Sequence, residues 1–172
     1  MHNEKGFVRR VDELGRVVIP KELRFALKIE TGTMLEFFCE NNKELHLCKY
    51  EPLRQISDLG ENCLHALKGH DCGILLCDSA SVIAVQNLPK KDFFGLKLNA
   101  QLQKELTQNT QQFFQFETPL ESKTKTYNIV LPIRSQGDLL GCIVLISDHE
   151  ILDVTTASAR AVANFLEEYV ML

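Results

Sequence analysis

The chain has 172 residues, 45% of them hydrophobic, with a formal net charge of −4. That is enough for one medium or two small domains with real cores, and the overall acidity taken alone argues against a nucleic-acid binder. The charge is unevenly spread, however: residues 1–28 hold seven Lys/Arg and four Asp/Glu (+3), whereas residues 51–172 hold ten and fifteen (−5). Met1-His2-Asn3-Glu4-Lys5 has no apolar core of signal-peptide length, and no segment approaches transmembrane length. The expectation is a cytoplasmic protein without a membrane anchor, whose scattered cysteines 39, 48, 63, 72, 77 and 142 are reduced thiols.

The first informative stretch runs from Val11 to Arg24. Gly15 marks a turn, and Arg16-Val17-Val18-Ile19 is β-branched enough to predict a strand. Pro20 ends the ladder and suits the first turn of a helix. That helix is expected over Lys21–Ile29, burying Leu23, Ala26, Leu27 and Ile29 and stopping near Gly32. Lys21, Arg24 and Lys28 recur at helical spacing, so they are expected on one solvent face, with Arg9, Arg10 and Arg16 just upstream. A compact unit with a basic side points to a polyanion.

Next comes a hairpin. Leu35, Phe37 and Phe38 face Leu45 and Leu47 across the Asn41-Asn42-Lys43 turn, with more apolar surface than one chain can cover. Fifty residues bury little of their surface, and no disulfide or metal site is on offer here. A homodimer is the economical expectation.

After Tyr50 the pattern changes. Pro52 opens a linking helix whose stripe is Leu53, Ile56, Leu59, Cys63 and Leu67, with Gly60 inside it and Gly69 near its end. The stripe can pack on the C-terminal domain or on a partner chain. Cys72–Cys77 and Ser81–Val85 predict two short strands about an Asp78-Ser79-Ala80 turn, and Asn99–Thr107 a helix with Leu102 and Leu106 inward. Tyr127–Ile133 and Leu140–Ile146 flank a Ser135-Gln136-Gly137-Asp138 hairpin turn. Asp153 caps a last helix whose core side is expected to carry Val154, Ala157, Ala161, Phe165 and Tyr169. The aromatic and polar segments Lys90–Gly95 and Gln111–Phe116 suit either the border of a ligand pocket or a core plug.

The head, about residues 5–50, resembles the looped-hinge-helix, or swapped-hairpin, DNA-binding domain of the AbrB family of bacterial transition-state regulators. The match runs from Gly6-Phe7-Val8-Arg9-Arg10 to Leu45-His46-Leu47-Cys48-Lys49-Tyr50, and Val11 to Pro20 follows the family pattern residue for residue. The tail, with Pro132-Ile133, Gly137, Gly141 and Ile143-Val144-Leu145 in its late hairpin, is similar to a GAF domain. A head and tail so combined look like the sporulation regulators of endospore-forming bacteria, whether activators or repressors. The resemblance implies an α+β protein in three parts. Residues 1–51 would form an AbrB-like swapped-hairpin β-barrel shared by two chains, 52–69 a linking helix, and 70–172 a GAF-like α/β sandwich for regulation or oligomerisation. It further implies double-stranded DNA as partner, a homodimer or dimer of dimers, and a nucleoid-associated place in the cell. Arg9, Arg16 and Arg24 match the family's DNA-contacting arginines. Arg10 is expected as a phosphate partner and Lys21 as part of the same basic surface. Phe25 departs from the pattern, because relatives often carry a second arginine there.

Rival readings are weaker on the residues. Cys63, His65, His70 and Cys72 have one-residue inner gaps that do not fit structural zinc spacing, so no metal is placed. The five histidines sit in no nucleophile signature, and adjacent His70-Asp71-Cys72 residues would not converge on one atom, so no catalytic residue and no cofactor are expected. A swapped-hairpin antitoxin would carry a short, disorder-prone tail, whereas this tail is long and periodic. A paralogous transition-state regulator with another regulon, or one with an unidentified small-molecule ligand in the tail, fits the same residues.

Overall fold

The computed structural model describes residues 6–31, 33–41, 43–108, 111, 113–116 and 127–170, with the side chain of Tyr127 left undescribed. The chain divides into two compact units, Met1–Tyr50 and Glu51–Leu172. The first holds a short helix α1 (Lys21–Ala26) and a hairpin of β1 (Leu35–Glu40) and β2 (Glu44–Lys49). The hairpin register pairs Phe37 with Leu47 and Cys39 with Leu45. Asn42, in its expected turn, lies outside the described residues, as does Gly32.

Two expectations for this unit are corrected. Arg16–Ile19 belongs to neither sheet: β1 and β2 form a two-stranded sheet by themselves, so the β-branched run has no ladder within its own chain. The helix is shorter than expected and buries none of its residues; Leu23 and Leu27 stay exposed. It stops because Lys28 turns left-handed (φ +52°), with Lys28 N donating to Phe25 O at 3.1 Å and Ile29 N to Arg24 O at 2.7 Å. This pair of bonds satisfies the last carbonyls as a Schellman motif, with lysine in the place glycine usually takes. Lys28 therefore leaves the helical spacing that was expected to align it with Lys21 and Arg24.

The second unit is a five-stranded antiparallel sheet in the order β4-β3-β7-β6-β5. Its strands are β3 (Gly73–Asp78), β4 (Val82–Gln86), β5 (Phe114–Gln115), β6 (Tyr127–Ser135) and β7 (Asp138–Ser147). The long hairpin β6–β7 closes through Gln136 and Gly137, both at positive φ, the turn geometry whose twist suits paired strands. Helices α2 (Pro52–Gln55), α3 (Ser57–His65) and α6 (Asp153–Val170) cover one face of the sheet. On the other, Leu98 and α5 (Ala100–Gln108), through Leu102 and Leu106, meet Leu75, Cys77, Val130, Cys142 and Val144. With both faces covered, β3 is buried along its whole length and reads as a continuous apolar run instead of an alternating one. A one-turn helix α4 (Lys90–Phe93) precedes α5.

The segment expected as one linking helix is broken at Ile56 (φ −105°, ψ 27°) into α2 and α3, and both pack in this unit. Its buried side is Leu53, Gly60, Leu64 and Leu67, with Leu59 and Cys63 only half-buried. Gly60 lets α3 press onto Leu76, which a Cβ there would strike. The expected core side of α6 is also corrected. Thr155, Thr156, Ala159, Ala163 and Leu166 face the sheet, while Val154, Ala157, Ala161, Phe165 and Tyr169 are exposed. The helix carries two stripes at helical spacing, and the one with smaller side chains allows the closer approach to the strands. Polar bonds hold the same orientation: Arg160 Nη1 donates to Pro132 O (3.0 Å), and Arg134 N donates to Glu167 Oε1 (3.0 Å).

Gly141 is the tightest point of this packing. A Cβ there would collide with the carbonyl oxygen of Cys77 and lie 2.7 Å from Leu53 Cδ1 and 3.1 Å from Asp78 Cα. Because backbone cannot swing aside, Gly141→Ala is expected to destabilise the C-terminal unit by about 2–3 kcal/mol, lowering its Tm by roughly 5–15 °C. Gly69→Ala, with nothing within 4 Å of the new methyl group, serves as the unshifted control in the same circular-dichroism melt.

Candidate nucleic-acid interface

The basic residues singled out from the sequence all lie in the first unit, and Arg9, Arg10, Arg16, Lys21 and Arg24 are all exposed. Two local devices position them. The first is the turn from Asp12 to Arg16. Gly15 takes φ +76°, and its N–H donates to Asp12 O at 3.0 Å, while Asp12 N donates to Arg16 O at 3.0 Å. The Asp12 carboxylate accepts from Leu14 N (3.0 Å) and Arg16 N (2.8 Å) through Oδ1, and from Arg16 Nε (2.7 Å) through Oδ2. One side chain thus ties the turn together and steadies the stem of Arg16, whose side chain stays 72% exposed. The backbone N–H of Arg16, then its side chain, holds the Asp12 carboxyl below its usual range.

The second device is α1. Pro20, the only buried residue among those described in the first unit, precedes it with a φ of −55° that suits helix entry, and its carbonyl accepts from Arg24 N at 2.9 Å. Lys21 and Arg24 stand one turn apart, so they are neighbours on the helix surface.

Beside these devices lies a hollow of about 290 Å³ lined by Phe7, Arg9, Val17, Val18, Ile19, Pro20, Leu23 and Leu47. Arg9 sits at its rim, with Nη1 donating to Val8 O (2.8 Å) and the guanidinium 6.0 Å from the centre of the Phe7 ring. Its walls are largely apolar yet uncovered: in the single chain Val17 and Phe7 are about half exposed and Val18 is 75% exposed. The arrangement can offer cations to an anionic polymer and an apolar seat to another polypeptide.

Asp12, which ties its turn together and steadies Arg16, was missed by reading the arginines alone. Its signal is the Asp-x-x-Gly-Arg spacing, which places a carboxylate over the amide two residues on and a glycine at the left-handed position. In the C-terminal unit, Phe114 is buried, and Phe93 and Phe116 pack against the same apolar cluster, so these aromatics contribute to the core. Phe94 and Phe113 are exposed, with Lys90 Nζ 5.3 Å from the Phe94 ring centre; Gln112 lies outside the described residues. His70 Nδ1 pairs with Thr155 Oγ1 at 3.0 Å, and burial pushes the Cys63 and Cys72 thiols up. None of the helices described is long and apolar enough to cross a membrane.

Comparison with known proteins decides the family. The model described as "Stage V sporulation protein T C-terminal, transcription factor" matches residues 56–169, and the MazE bacterial antitoxin model, described as antidote-toxin recognition, matches residues 8–55. Stage V sporulation protein T of Bacillus subtilis (strain 168) is 33% identical over 177 aligned residues, covering 94% of each chain. The chain belongs to the stage V sporulation protein T family of transcription factors. Its head is also similar to two shorter proteins of the same bacterium. The putative transition state regulator Abh is 53% identical, over 27% of this chain and half of its own, and the transition state regulatory protein AbrB is 48% identical, over 33% and 57%. The C-terminal unit is similar, at 13% identity and a TM-score of 0.47, to the cofactor-binding GAF domain of the nutrient sensor CodY from Clostridium difficile; the match covers 69% of this chain and 90% of that one.

The pH response of the Asp12 turn follows from its carboxylate. A group held below its unfolded value of 3.8 contributes order above that value and loses it as pH falls through the folded pKa. In an NMR titration from pH 6 to 2, the Leu14 and Arg16 amide shifts are expected to move together with a midpoint below 3.8. In Asp12→Ala the same shifts should be flat and already displaced.

Proposed function

We propose that the chain is a sequence-specific regulator of sporulation or transition-state genes that binds double-stranded DNA through paired heads. The observation that carries this reading is the coincidence, in one unit, of exposed cations with an unburied apolar set. Only Pro20 is buried there among the described residues, while Phe7, Val17, Val18, Leu23, Phe37 and Leu45 are exposed. A second copy is the natural cover, since two such units interleaving their hairpins into a swapped-hairpin barrel would bury those side chains and give Arg16–Ile19 a ladder. The pairing doubles Arg9, Arg10, Arg16, Lys21 and Arg24 into one two-fold basic surface. Arg16 and Arg24 are the groups assigned to base edges and phosphates, Arg9 to a further contact, and Arg10 and Lys21 to phosphate alone.

The acidic C-terminal unit, GAF-like in this reading, serves assembly in the cytoplasm at the nucleoid. The outward stripe of α6, with Phe165 and Tyr169 rings 5.9 Å apart, is available for joining two dimers. A small molecule bound by that unit would affect the heads only by favouring one of two arrangements over the other. An antitoxin role is disfavoured by the match of the whole chain, tail included, to a sporulation regulator.

Sedimentation velocity on the full chain should show a dimer or tetramer at micromolar concentration. Gel-shift titration against a duplex recovered by selection should show binding that falls steeply with salt, by a log–log slope of about −0.9 for each phosphate neutralised. Arg16→Ala and Arg24→Ala, with assembly intact, should each weaken it at least ~10-fold. A monomer that binds with full affinity, or wild-type affinity in both mutants, overturns the reading.

A further inference from the structure

We infer that Phe25 is a DNA-reading side chain, making apolar contact with thymine methyl groups beside the phosphates held by Lys21 and Arg24. The inference rests on the DNA-binding reading above. Phe25 is 85% exposed, the most exposed aromatic side chain among those described. It does not stand on an apolar face. Within α1, Lys21 lies four residues before it and Glu22 three, so both are its surface neighbours, and Arg24 stands on the far side of Lys21. All four are exposed, and no residue of α1 is buried.

A large ring held in water at the edge of a pair of cations costs solubility and contributes nothing to the folded single chain. Charge complementarity names the occupant: two cations one helical turn apart suit a phosphate backbone, and the apolar ring beside Lys21 suits the apolar parts that backbone frames. On a duplex those parts include, in the major groove, the C5-methyl group of thymine, which apolar side chains read. A third cation at position 25 would add another phosphate contact and a steeper salt response. Phenylalanine gives instead a contact whose strength depends on base identity and very little on salt.

The test uses the full chain and a 30-base-pair duplex recovered by in vitro selection with it, compared with the same duplex carrying deoxyuridine for thymine, which removes only the methyl groups. Phe25→Ala is expected to weaken binding roughly 5- to 50-fold with an unchanged salt slope, whereas Arg24→Ala weakens it and flattens the slope. Deoxyuridine substitution should weaken wild type and Phe25→Leu several-fold and leave Phe25→Ala unaffected. Wild-type affinity in Phe25→Ala, with Arg24→Ala still impaired, overturns the role of Phe25 and leaves the DNA-binding reading standing. Phe25→Ala that sediments as a monomer also overturns it, by making the ring an interchain packing group. Failure of selection to yield any bound duplex removes both.

Discussion

A fifty-residue unit that buries one described side chain, Pro20, is not held together by its own apolar contacts. Everything proposed for the head follows from that deficit. Small folds without disulfides or metals make up the shortfall by association, and a barrel shared between chains makes folding and pairing one event. Stability of such a head depends on protomer concentration, and so does the spacing of its arginines. On the proposed reading, a DNA-facing surface would exist only as often as the dimer does. Regulation of abundance and regulation of binding would then become the same variable.

The C-terminal unit solves the opposite problem, with an excess of apolar strand to cover. It does so around Asp78, a carboxylate only 4% exposed at the end of β3. Asp78 Oδ1 accepts from Ala80 N (2.8 Å) and Ser81 N (2.6 Å), shaping the turn into β4. Oδ2 takes both Arg54 Nε (3.1 Å) and Arg54 Nη2, and Arg54 also reaches Glu51 and Ser81. Asp78 in turn holds the guanidinium proton more tightly than usual. This buried charge is therefore paired from every side, which removes the penalty an isolated carboxylate would carry. The ion pair pins α2 over Gly141, where Leu53 descends on the sheet, so the first turn after the head is built into the core of the tail.

Much of this was legible in the chain. Strong local signals were read correctly: Asp78-Ser79-Ala80, the Gln136-Gly137 turn, and the inward pair Leu102 and Leu106, each written in a few adjacent residues. The misreadings share one cause, which is competition between two surfaces that look alike in one dimension. Ala157, Ala161 and Phe165 have the same helical spacing as Ala159, Ala163 and Leu166, and periodicity cannot say which stripe meets a sheet. Ile56 looked like one more core position of a continuous helix, but the helix breaks there and the buried side shifts to Gly60 and Leu64. In the head, Val17 and Val18 were read as a strand and Leu23 as buried, yet the single chain gives the first two no ladder and the third no cover. The arginines were visible as types and spacing. Asp12, which arranges one of them, was hidden because its role lies in backbone hydrogen bonds and not in a charge pattern.

The Asp12–Arg16 turn is closed entirely by its own five residues: one carboxylate, one left-handed glycine and four short hydrogen bonds within the segment, with the Arg16 guanidinium anchored to the same carboxylate. Among the described residues, the hydrogen bonds that shape it all lie within the segment. Such a loop behaves as a module. Its neighbours can drift in evolution, or be replaced by design, without disturbing how the arginine is presented, whereas inserting or deleting a single residue inside it would undo the whole. Divergence among heads of this type should therefore collect in α1, where a change at a position such as Phe25 alters what the helix presents without reshaping the loop, and leave the turn in place.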